Sequence, residues 1–298
     1  MVVQSTLVTD FLQYLIFGII TGTILALPSL GLTLTYGILK FPNIAFGDYA
    51  TFGAYMAVLV NISLGQSIWL GIAAAALGTM LVGVLADIFA FKPLRKKGAT
   101  ALFVISIGVS QVIHNGINAI WGGDIQLYRL PMENVLTFFG LHIVLHQILE
   151  ATAAIALMFL THCMLKYTRV GKAMRATADN ADLSRVAGIN TERIILYTWL
   201  LASAITGVSG VLLGLDSSIT PLSGWNILLP IYAAVVIGGI GNPAGAIAGA
   251  MIVGCSQEVS VLAFGAEHAS YKLIAPYAIM IIVLILKPQG LFGEKKRI

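Results

Sequence analysis

Apolar residues run along this chain in blocks of about eighteen or more, the length of a membrane-spanning helix and too long for barrel strands. The first block runs from about Phe11 to Tyr36, with Pro28 and Gly31 inside it as expected kinks. It stops at Lys40-Phe41-Pro42-Asn43, where Pro42 disfavours helix at the residue before it. Further spans are predicted over about Ile44–Ile62, Ser67–Phe91 and Ala99–Trp121. A polar stretch from Gly122 to about Gly140 follows, then a fifth span to Leu165 and a sixth from Ile194 to Leu215. The last part is less regular. Trp225–Gly239 is short for a full crossing and is broken at Gly241-Asn242-Pro243; apolar runs over Ala244–Phe264 and Tyr271–Leu286 come after it. The pattern predicts an all-α polytopic membrane protein with about eight or nine transmembrane helices, some discontinuous, forming a single domain over residues 1–298.

One stretch breaks the apolar pattern. Between Lys166 and Arg193 the chain carries Lys166, Arg169, Lys172, Arg175, Arg185 and Arg193 against Asp179, Asp182 and Glu192. Helical order persists there: Val170, Ala173, Met174 and Thr177 recur at i, i+3, i+4 and i+7, one face of a short amphipathic helix. Asn180 suits the cap of a second short helix that Gly188 ends, and Asn190 suits the cap of the next span. Two capped helices in a basic loop are more than a headgroup anchor requires, so the loop reads as a docking surface for a soluble partner.

Composition sharpens this picture. With 58% hydrophobic and 10% charged residues and a mean hydropathy of +0.92, the chain is too apolar for a soluble domain. The net charge of +4 is concentrated at span ends, which points to orientation in a membrane and not to nucleic acid. Cys163 and Cys255 lie in or beside apolar runs, where buried reduced thiols are the default. The first residues lack the basic start of a signal peptide, Asp10 being the only charge before Lys40. The positive-inside rule places the Lys92–Lys97 loop, the Lys166–Arg193 loop and the Lys295-Lys296-Arg297 tail in the cytoplasm. Nine crossings satisfy all three if the N-terminus is external; eight do so if one broken segment is re-entrant.

Candidate chemistry lies in a few polar residues within the spans. An acid deep in a helix costs roughly 2.5–3.5 kcal/mol on insertion scales, so Asp48 is expected to line water or to pair. It also sits one turn past the Pro42-Asn43 break, where a helix N-terminus favours a carboxylate. The fourth span also carries Asn115; in it Ser106, Ser110 and His114 step by four along one face, with Gln111 and Asn118 beside it, and such a stripe hydrates a passage or bonds neighbouring helices. Pro42-Asn43 and Asn242-Pro243 look alike, each following an apolar run and preceding a small-residue helix, as in transporters with broken helices in two related halves. His142, His146 and Glu150 also step by four, at the outer end of the fifth span, where polar residues sit naturally and no further ligand is evident. Asp87 is expected to pair with Lys92 or Arg95. Gly171-Lys172-Ala173 lacks the other residues of a phosphate loop, and no catalytic set is visible, so no enzyme and no cofactor are expected of this chain.

The segment TRVGKAMRATADNADLSRVAGINTERI resembles the cytoplasmic coupling loop of permease subunits from branched-chain amino acid ABC importers. GLTLTYGILKFPNIAFGDYATFGAY resembles their N-terminal signature, and AAVVIGGIGNPAGAIAGAMIVG their glycine-rich C-terminal one; PLRKKGA and LKPQGLFG fall at matching places. The resemblance spans nearly the whole chain and implies a bacterial inner-membrane subunit. It further implies a second, homologous permease, two cytoplasmic P-loop ATPases that hold ATP and magnesium, and a periplasmic binding protein. Two departures bear on substrate: Ile44-Ala45-Phe46-Gly47 stands where the family often has an aromatic-Ala-His-Gly turn, and Asp48 where Glu is usual.

Arg169, Gly171, Lys172, Arg175, Asp179, Arg185 and Gly188 are the expected ATPase-coupling residues. Asn43, Asp48, Tyr55, Ser110, Gln111, His114 and Asn242 are the expected translocation pathway, and Asp124, Arg129 and Glu133 the expected contacts for the binding protein. Related permeases carry urea, short amides or aromatic acids, which stay open as alternatives. A stand-alone carrier or channel is a further reading, and it requires uptake by the chain alone. A purely structural anchor fits poorly with broken helices and intramembrane polar groups.

Overall fold

In a computed structural model of the protein, residues 2–130, 135–138, 141–265 and 271–293 are described. Glu133, Glu267, His268 and the Lys295–Arg297 tail lie outside these residues. Helix α1 (Val2–Leu39) is followed by α2 (Phe46–Val58), which continues as a π turn to Ser63. Helix α3 (Ile68–Ala86) continues through a second π turn (Asp87–Phe91) and the short α4 (Lys92–Leu94) to Lys97. Then come α5 (Ala99–Trp121), strands β1 (Val135–Phe138) and β2 (Leu141–Val144), and α6 (Leu145–Tyr167). The basic loop holds α7 (Arg169–Asp179) and α8 (Ala181–Val186). Helices α9 (Thr191–Asp216), α10 (Ser223–Gly238), α11 (Pro243–Phe264) and α12 (Ile274–Leu286) complete the chain.

Six of these helices are long and apolar enough to cross a membrane; α10 and α12 are shorter apolar helices. The protein is a multi-pass helical membrane protein. Burial separates the helices by role. In α1 and α9 most residues face other helices, whereas α3, α5 and α6 leave most of theirs outward, as lipid-facing helices do. Helix α1 packs along α11 and against α9, and α9 in turn packs on α2 and α3. Aromatic rings fill the end of this core: Phe91 and Phe46 stack on Trp199, and Tyr49 meets its ring edge-on.

Two helices begin inside the bundle. After α1, residues 40–45 turn inward, and the Ile44 amide donates to Ser106, seven residues (about 10 Å) into α5. After α9 the chain pairs Ile219 with Gln126 on the opposite face and then enters the bundle; the Gly224 amide donates to the Thr51 hydroxyl of α2 at 2.7 Å. The two helix starts meet there, because any Cβ on Gly224 would collide with the Gly47 carbonyl. The break at Pro42-Asn43 is therefore matched by one at Thr220-Pro221, and not by Asn242-Pro243. That second pair is the turn between α10 and α11, where Asn242 caps α11 by accepting from the Gly245 amide.

The polar stretch before α6 also differs from expectation. Strand β1, in the second half of this stretch, pairs antiparallel with β2 in register Val135↔Val144 to Phe138↔Leu141. This pairing takes His142 into β2 and so dissolves the helical step to His146 and Glu150; the His142 amide donates to Gln13 of α1 instead.

Candidate functional site

The basic loop forms an elbow on one face of the bundle. Thr168 accepts from the Gly171 amide and caps α7; Asn180 accepts from the Asp182 and Leu183 amides and caps α8; Asn190 accepts from the Arg193 amide and caps α9. Gly188, at φ 84, ends α8, with the Ile189 amide donating to Ser184 in a Schellman closure. The predicted apolar face of α7 points inward. Met174 packs with Leu34 of α1, Leu165 of α6 and Ile194 of α9, joined by Val170 and Ala173. Gly171 is buried where a side chain would strike the Met164 and Leu165 carbonyls, which lets α7 fold back across the end of α6. Its contribution to the elbow is to permit that turn.

Arg169, Lys172 and Asp179 are exposed on the outer face of α7, and Arg175 is exposed at its edge, toward the ends of α1 and α6. Arg185 is engaged within the elbow: its guanidinium donates to Thr191 at 3.0 Å and to Asp182 at 3.2 Å, tying α8 to the start of α9. Two residues that sequence reasoning did not select complete the surface. Leu183 and Val186 are 66% and 87% exposed on α8, next to this ring of charge. Exposed apolar side chains in a charged surround have the character of an interface, and their hydrophobicity amid the loop's charges was the available signal. A further ion-paired patch lies beside the elbow: Glu192 accepts from Arg95 at 3.0 Å, and Arg95 also binds Asp87, the pairing expected for that acid.

Of the expected pathway residues, three come together. Asp48 lies in the first turn of α2 and is 4% exposed. Ser110 of α5 donates to one of its oxygens, and His114 Nδ1 stands 3.8 Å from the other. The pairing reading of Asp48 holds, with two polar side chains of α5 facing it; its place in the first turn of α2 sets it at the positive end of that helix, whose start carries no side-chain cap hydrogen bond. Asn43 is buried a turn away and accepts from the Ala45 amide, fixing the turn that starts α2. Tyr55 is buried farther along α2, with its ring 5.4 Å from that of Trp121. Gln111 points outward from the other side of α5 and accepts from Asn115. Asn242 stands apart from all of these, at the elbow face, with its amide donating to Phe292.

On the opposite face, Asp124 and Arg129 are exposed. The Arg129 amide donates to Asn61 at the end of α2, and Tyr128 is buried with its hydroxyl on the Ala54 carbonyl, so this loop is held against α2. Among the described residues, no group of three His, Cys, Asp or Glu is placed to hold a metal ion.

A helical bundle with two helix starts at its centre and a two-helix elbow on one face has the build of a membrane permease. Residues 14–284 match the model of the permease component of branched-chain amino acid transport systems, and the chain belongs to that family. It is 29% identical to the high-affinity branched-chain amino acid transport system permease protein LivH of Salmonella typhimurium, covering 95% of this chain and 96% of that protein. A probable branched-chain amino acid permease, LivH of Methanocaldococcus jannaschii, is 30% identical over 93% of this chain and 90% of its own length. LivM of Escherichia coli, also a permease of a branched-chain amino acid system, is 21% identical over 88% of this chain and 66% of that protein. Among solved structures, PsaBC from Streptococcus pneumoniae in complex with Fab shares the fold, with a TM-score of 0.53 at 15% identity, over 94% of this chain and 92% of that one.

Proposed function

We propose that this chain is the gate of an ATP-driven importer of branched-chain or related amino acids in a bacterial inner membrane. It works beside a second, homologous permease, two cytoplasmic P-loop ATPases that hold ATP and magnesium, and a periplasmic binding protein. The observation that carries the reading is the elbow. Its inner face is packed into α1, α6 and α9, while its outer face presents Leu183 and Val186 beside Arg169 and Lys172. Such a piece transmits an external push to helices that define a path. Relatives named as LivH and LivM support a pairing of two different permeases. The clustering of basic residues at the elbow face supports a cytoplasmic position for it, with the start of α1 and the Asp124–Arg129 loop on the periplasmic side.

The departure at Phe46 does not favour another substrate. Phe46 is fully buried between Trp199 and Tyr49, so that position supports the aromatic core instead of facing a ligand. Purification of the chain from its native membrane tests the reading: a P-loop ATPase and a second permease should accompany it, and a branched-chain amino acid should be bound to the associated binding protein. Isolation of the chain with neither companion would overturn it.

A further inference from the structure

Beside the elbow lies a cavity of about 360 Å³, bounded by the ends of α1 and α6, the inner side of α7 and the turn into α11. Its walls are apolar where Leu34, Leu165 and Met174 line it; Lys166 and Arg175 line it too. Neither cation makes an ion pair among the described residues, and none of the described lining residues is acidic. Arg175 reaches only the Lys166 carbonyl, at 3.5 Å, and the Lys166 ammonium lies 5.5 Å over the exposed Tyr167 ring. An aromatic ring and a lysine at the end of a span are the marks of the headgroup level of a bilayer.

One residue of the cavity wall carries an unmet hydrogen-bonding group. Thr33 of α1 lines it, is fully buried, and its hydroxyl has no partner. Its neighbours on the same helix behave otherwise: Thr23, Ser29 and Thr35 each bond back to a carbonyl three or four residues earlier. A buried hydroxyl left without a partner is unfavourable, and a ligand acceptor removes the penalty. Thr33 lies six residues before the end of α1 at Leu39, about 9 Å along the helix. The N-terminus of α11, with Asn242, Pro243 and Ala244 at the cavity wall, adds a positive dipole end.

We infer that this cavity holds one anionic phospholipid of the leaflet that contacts the elbow. The phosphate pairs with Lys166 and Arg175, an ester carbonyl, set deeper by its place in the molecule, accepts from Thr33, and an acyl chain runs along Leu34 and Leu165. A zwitterionic amino acid is a poor occupant, because no lining carboxylate meets its ammonium group. The bound lipid fills the space behind α7, so the elbow rests partly on the membrane itself. The inference goes beyond the transport reading and does not depend on the substrate.

Native mass spectrometry of the full chain in detergent, with phosphatidylglycerol or phosphatidylcholine added, tests it. Phosphatidylglycerol should be retained about tenfold better than phosphatidylcholine, and Lys166→Gln should remove most of that preference. Thr33→Val, which keeps the shape of the side chain, should lower retention severalfold with an unchanged melting temperature, which establishes that the variant is folded. Equal retention of the two lipids, or undiminished phosphatidylglycerol retention in both variants, would overturn the inference. Displacement of the lipid by millimolar glycerol 3-phosphate would also overturn it, assigning the cavity to a soluble anion.

Discussion

The ammonium group of Lys40, one residue past the end of α1, donates to the carbonyl of Ala178 in the last turn of α7 at 2.9 Å. Lys40 adopts a left-handed backbone, φ 56, the only such non-glycine among the described residues, and it leads directly into the inward turn that ends at Asn43 and α2. The Lys40–Ala178 bond therefore ties the last turn of α7 to the turn that leads into α2.

Lys40→Met keeps the length of the side chain and removes that bond. A hydrogen bond to a charged group contributes roughly 1.5–3 kcal/mol, so transport per ATP hydrolysed should fall about tenfold while hydrolysis continues. Uptake and phosphate release measured together in proteoliposomes check this; an unchanged ratio would remove Lys40 from the path.

Val186→Asp places a charge on the most exposed apolar residue of the elbow. Folding should be unaffected, since surface substitutions usually stay within about 0.5 kcal/mol. Co-purification of the ATPase should be lost. Lys172→Glu should weaken the association in a salt-dependent way, as rim charges do.

At the centre, Asp48→Asn retains an acceptor for Ser110, whereas Asp48→Leu leaves the Ser110 hydroxyl and His114 facing an apolar group. The leucine variant should lose roughly 1–3 kcal/mol of stability, and the asparagine variant less. Thermal melting in detergent separates them. If both variants lose uptake while the asparagine one stays folded, Asp48 serves the path as well as the packing of α2 on α5.

The Gly47–Gly224 approach gives a structural check. Gly224→Val would force apart the starts of α2 and α10, and overpacking of this kind costs about 1–3 kcal/mol or more. The yield of folded protein should drop sharply, while Gly116→Ala, at an open position, should be silent.

What could be read from the sequence was local. The caps at Asn180 and Asn190 and the stop at Gly188 were legible because each acts within a few residues of itself. The Asp87–Arg95 pair was legible for the same reason. Asp48 could be singled out, but its partners lie 62 and 66 positions away in sequence, and only packing of α2 on α5 brings Ser110 and His114 to it. Lys40 looked like a span-end charge until α7 folded back beneath it. The second inward break was hidden because Ser217–Leu222 carries no charge to mark it, while Asn242-Pro243 imitated Pro42-Asn43 in composition alone.

The central claim is that this chain transports only when driven through its elbow. The most direct measurement is uptake of a radiolabelled branched-chain amino acid into proteoliposomes. One set holds the chain with its partner permease, ATPases and binding protein; the other holds the chain alone under an imposed ion gradient. Uptake should require the full assembly and ATP, and should disappear with Val186→Asp. Ion-driven uptake by the chain alone would contradict the account.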